Sequence, residues 1–83
     1  MTTKTVHLDS LGSLLREVTA FTATASGREV QWGYCPTFGL PSDETKAINR
    51  GTADMHMVGG GVVKVKLAYD RDAQDLAMEI AGS

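Results

Sequence analysis

The residues of this 83-residue chain that could do chemistry are one cysteine, two histidines and a scatter of carboxylates and lysines. A cysteine nucleophile needs a neighbouring base or a helix N-terminus to hold it as thiolate. Cys35 is followed directly by Pro36, and neither His7 nor His56 is near it in sequence. Its plainer role is that of a small, partly buried apolar residue. Asp54 and His56 stand two apart and share a face if they lie on a strand, as do Lys64 and Lys66. An Asp–His pair can exchange a proton or hold a metal. A four-ligand set is missing, however, and facing lysines repel a cation. The cluster therefore reads as a solvated sheet face with cross-strand ion pairs. Gly59-Gly60-Gly61 has neither the Lys-Ser/Thr ending nor the strand–loop–helix setting of a phosphate-binding loop. No catalytic residue, metal site or cofactor site is expected.

What remains is surface. Trp32, Tyr34, Phe38 and Leu40 hold most of the aromatic and apolar bulk of one short stretch. Trp32 and Tyr34 alternate on a strand and are expected to face the core. Phe38 and Leu40 sit in a segment broken by Pro36, Gly39 and Pro41, and are expected on an exposed loop where a partner could cover them. Asp72, Asp75 and Glu79, with Asp70, give the C-terminal segment an acidic excess. Such an edge steers a basic partner. The expected partner-binding set is thus Trp32, Tyr34, Phe38, Leu40, Asp72, Asp75 and Glu79.

The elements that must position these residues are read from periodicity. Thr5–Leu8 is a short strand. Asp9-Ser10 offers an N-cap, and Leu11, Leu14, Leu15, Val18, Phe21, Thr22 and Ala25 form the apolar stripe of a helix that Gly27 ends. Glu29–Tyr34 is a second strand, and residues 35–41 are a loop. Ser42 caps a short second helix that runs to Arg50, with acids first and bases last. Ala53, Met55 and Met57 alternate with Asp54 and His56. Val63, Val65, Leu67 and Tyr69 alternate with Lys64, Lys66 and Ala68. These two strands form a hairpin. A three-residue loop, Gly59–Gly61, pairs Met57 with Val63, Met55 with Val65 and Ala53 with Leu67, and it sets His56 against Lys64 and Asp54 against Lys66. Ala73, Leu76, Ala77 and Ile80 suggest a last helix. The expected fold is a single α+β domain over residues 1–83. Its order is β-α-β-α-β-β-α, with a small, mostly antiparallel sheet and the helices on one face. A parallel pairing of the first two strands is the alternative, with its right-handed crossover.

Composition narrows the function. Ten acidic and eight basic side chains give a net charge of −2, which argues against a general binder of phosphate backbones. There is no apolar run long enough to span a membrane and no signal-peptide core, so a cytoplasmic protein is expected. A single cysteine permits no intrachain disulfide. A chain this short buries only about 60–65% of its unfolded surface, which leaves little room for a deep pocket. The expectation is a small non-enzymatic protein-binding module without a cofactor. One concrete version is a phage or mobile-element inhibitor of a host defence complex, of the anti-CRISPR kind. The alternatives are a self-associating structural subunit, homodimeric through an exposed strand edge, and a small hydrolase or transferase using Cys35 or His56.

Overall fold

The computed structural model describes residues 2–41 and 48–80, with the backbone alone described at 37–41. Within them lie five strands and one α-helix: β1 (Thr2–His7), α1 (Leu14–Ser26), β2 (Val30–Pro41), β3 (Ile48–Met57), β4 (Val62–Asp70) and β5 (Asp75–Ile80). The strands form one sheet in the order β1-β5-β4-β3-β2, and every neighbouring pair is antiparallel. Strands β2 to β5 follow one another as a meander. The chain's first strand closes the sheet beside its last, so no parallel β1–β2 crossover forms.

Helix α1 covers one face. A 3-10 turn, Leu11–Ser13, precedes it, and the Ser10 hydroxyl accepts the Gly12 amide at 3.1 Å. Leu14, Val18, Phe21 and Thr22 are its buried stripe. The Thr22 hydroxyl is satisfied by donating to the Val18 carbonyl at 2.8 Å. Gly27 ends the helix in the left-handed conformation, φ 69°. Below the helix, alternate residues of the sheet make the core: Ala53, Met55 and Met57 of β3, Val65, Leu67 and Tyr69 of β4, and Leu76, Met78 and Ile80 of β5.

Several expectations are corrected. The three-helix α+β order gives way, among the described residues, to β-α-β-β-β-β with one α-helix. The segment expected as the last helix is strand β5, whose burial alternates strictly from Asp75 to Ile80. Leu76, Met78 and Ile80 reach the core by period two, and Ala77 and Glu79 point the other way. Of the second helix, residues 42–47 lie outside the described residues, and Ile48–Arg50 are strand. The loop expected over residues 35–41 is the second half of β2. Two of the three register irregularities in the β2–β3 pairing fall there, and β2 is an edge strand, where proline is tolerated.

The β3–β4 hairpin keeps the expected faces but not the expected register. Ala53 pairs with Val65, Asp54 with Lys64, Met55 with Val63 and His56 with Val62. This is a slip of two residues from the reading above. The three loop residues are Val58, Gly59 and Gly60, closed by the Met57 amide on the Gly61 carbonyl at 3.0 Å. Gly59 at φ 91° is the third residue of a turn closed from the Gly60 amide to the Met57 carbonyl, where a side chain would be strained. Arg28 holds the loop from outside, donating to the Val58 carbonyl at 3.1 Å and to the Gly60 carbonyl at 2.7 Å.

Candidate functional site

One sheet face is covered by α1; the other carries no helix among the described residues. Direct cross-strand partners share a face, so the pairing fixes the rows of this open face. The first is Trp32–His56–Val62, and the second is Tyr34–Asp54–Lys64. Thr52–Lys66–Glu79–Thr3 follows, then Arg50–Ala68–Ala77–Thr5, and last Ile48–Asp70–Asp75–His7.

Trp32 and Tyr34 are therefore not core residues. Trp32 is 51% and Tyr34 43% exposed. The residue between them explains why. Gly33 faces the core, and a side chain there would overlap the thioether of buried Met55. Met55 fills the place under β2, and the two aromatic rings are turned outward. There they stack with His56: the Trp32 and His56 ring centroids lie 3.7 Å apart with planes 10° from parallel. Tyr34 lies 5.6 Å from Trp32 and 6.1 Å from His56, also nearly parallel. The three rings form an aromatic ridge at the β2–β3 corner. Val62, 49% exposed, extends it onto β4.

Diagonally across the face the relief inverts. Ala68 and Ala77 are paired neighbours on β4 and β5. Their small side chains floor a depression of about 310 Å³, rimmed by Arg50, Lys66, Glu79 and Thr5. Lysines 64 and 66, Arg50, Asp54 and Glu79 all stand on this face, and none makes an ion pair with a described residue. The cross-strand salt bridges expected for Asp54 and the lysines do not form.

Cys35 and His56 lie on opposite faces. Cys35 points to the α1 side, half-buried beside Leu11 and Leu15, whereas His56 is on the open face. Burial first, and the Asp54 carboxylate second, push the Cys35 thiol above its ordinary range. That is the reverse of what an activated nucleophile needs. His7 lies in the row farthest from the ridge, within 3.4 Å of both Asp9 and Asp75. Among the described residues no group of three or more His, Cys, Asp and Glu is placed to hold a metal ion.

Of the expected binding residues, the structure brings Trp32 and Tyr34 together and adds His56, whose alternation with Met55 and Met57 already placed it off the core face. Glu79 and Asp75 are on the open face as strand residues. Asp72 is in the β4–β5 turn, so there is no acidic helix. The side chains of Phe38 and Leu40 lie outside what the structure describes. No described helix is long and apolar enough to cross a membrane. Comparison of the chain with protein-family models, curated proteins and solved structures gives no significant match.

Proposed function

We propose that this chain is a non-enzymatic protein-binding module that docks through its open sheet face, with the Trp32–His56–Tyr34 ridge as anchor. The observation that carries this is the exposure of two stacked aromatic residues, Trp32 and Tyr34, on the face that no described helix covers. Leaving such rings wet forgoes about 25 cal/mol for every Å² of apolar surface that could be buried. Trp and Tyr are also the residue types that most often supply the binding energy of protein interfaces. The surrounding charges are mixed in sign, which suits a protein partner better than a phosphate backbone. A chain that inhibits a larger complex, as its size suggests, would use this face in the same way.

The test is affinity capture from the native host with the intact chain, with Trp32→Ala/Tyr34→Ala and with Cys35→Ala as baits, each checked for folding by circular dichroism. The expected result is a partner held by the intact chain and by Cys35→Ala but lost by the aromatic double variant. A partner retained by a folded double variant overturns the reading.

A further inference from the structure

We infer that the partner of the open face is a second copy of this chain, packed face to face about a two-fold axis that sets the aromatic ridge of each copy in the alanine depression of the other. The inference rests on the reading of the open face as a docking surface and adds its occupant.

Self-complementarity carries it. A two-fold axis in the plane of an interface exchanges any two points that it bisects, and a self-paired surface must present ridge and hollow in that relation. Strands spaced by about 4.8 Å, with same-face residues about 6.8 Å apart along each, turn the pairing into a map. On it the ridge of Trp32, His56 and Tyr34 and the hollow of Ala68 and Ala77 lie roughly 20 Å apart along a diagonal. Asp54 and Lys66 fall on the same diagonal, about equally far from its midpoint. The axis that exchanges ridge and hollow therefore also lays Asp54 of one copy over Lys66 of the other. The same operation brings Lys64 over Glu79, and it carries Arg50 to Tyr34, where a guanidinium finds an aromatic face. None of these five makes an ion pair with a described residue in the single chain, as is also true of Asp70 at the far end of the face. One operation fills the hollow, covers the aromatic rings and pairs the opposite charges.

Size points to a weak dimer. The five rows, three to four strands wide, give a face of roughly 500 Å² in projection. A standard interface takes about 800 Å² from each partner. Of the two sheet edges, β2 is obstructed for strand pairing by Pro36, Pro41 and its irregular register, which leaves β1 as the one regular edge.

The experiment is sedimentation velocity on the full chain from micromolar to millimolar concentration. It compares the intact chain with Trp32→Asp, Asp54→Lys, Lys66→Glu and the double variant Asp54→Lys/Lys66→Glu, with folding checked by circular dichroism. Each charge pair occurs twice across a two-fold axis. A single reversal is therefore expected to weaken the dimer at least about tenfold, and the double reversal to restore it to within about threefold. Trp32→Asp is expected to give a monomer. An intact chain that stays monomeric at millimolar concentration overturns self-association, while a heterologous partner lost with Trp32→Ala/Tyr34→Ala would leave the open-face reading standing. A dimer that ignores Trp32→Asp places the contact elsewhere and overturns this inference. Singles that weaken the dimer without rescue by the double variant overturn the two-fold geometry.

Discussion

Gly33 stands directly opposite Met55 across the β2–β3 pairing, and the Met55 thioether occupies the space that a side chain at position 33 would need. Met55 is fully buried, so its thioether must repack among core neighbours to make room. Gly33→Ala is expected to destabilise the fold by about 1–3 kcal/mol through overpacking. Met55→Ala opens a cavity, but in the Met55→Ala background the Gly33→Ala cost should vanish or change sign, since touching residues couple. Urea midpoints of the four proteins of this cycle check it; additive effects would show that the two sites do not share this space.

Strand β5 is tested by its alternation. Leu76→Ala removes a fully buried side chain and should cost about 2–4 kcal/mol, cavity included. Ala77→Ser, one residue on and facing the open side, should stay within about 0.5 kcal/mol. The pair of urea midpoints also separates strand from helix, because a helical stripe of residues 73, 76, 77 and 80 would make both positions sensitive.

Arg28 links the end of α1 to the hairpin loop through two carbonyls. The side chain is exposed, so Arg28→Ala should cost only about 1 kcal/mol globally. Its local effect should be larger: the amides of Met57 and Gly60, which close the loop, should exchange faster with solvent deuterium. Unchanged exchange at both amides would show that the glycine turn holds itself.

Cys35 titrates high, first through burial and then through the Asp54 carboxylate. At pH 8 its alkylation by iodoacetamide should be slower than that of a free cysteine, because the thiolate is the reacting form. Asp54→Asn removes the second cause, lowers the pKa and should speed the reaction. The sign for stability follows. Folding favours the neutral thiol, so the contribution is fully present below the unfolded-state pKa and is lost as pH rises through the folded one. Equal alkylation rates for the intact chain and Asp54→Asn would remove the carboxylate from the account.

Which parts of this could be read in the sequence depends on what a side-chain pattern distinguishes. The faces of β3 and β4 were legible, since Met55, Met57, Val65 and Leu67 alternate with polar residues. Their register was not: a slip of two returns every side chain to its own face, so the pattern is blind to it, and Val58 entered the loop in place of Gly61. Leu76 and Ile80 fit helical spacing as well as strand spacing, and Ala, Leu, Met and Glu lean toward helix on propensity. Neighbouring β1 and β4, which pair with β5 on both sides, override that preference. Trp32 and Tyr34 were rightly placed on one face but on the wrong side of the sheet. Size suggested the core, and only the unbranched Met55 beneath Gly33 shows why the small residue took the inner place. The ridge as a site was half visible for the same reason: its aromatic residues could be named, but their joining to His56 needed the pairing.

The pairing of β1 with β5 sets Thr2 beside Ile80, so the two ends of the sheet-forming chain lie next to each other. A chain leaving the ribosome cannot complete this sheet until its last strand is free, and α1 must wait over an unfinished floor. Contacts this distant in sequence slow folding. The same adjacency makes the fold a natural candidate for circular permutation. A short linker from β5 to β1 would turn the slowest pairing into a local hairpin, and new termini at Gly59-Gly60 would fall in a solvent-exposed turn. Such a permutant should keep the open face intact while folding along a different route.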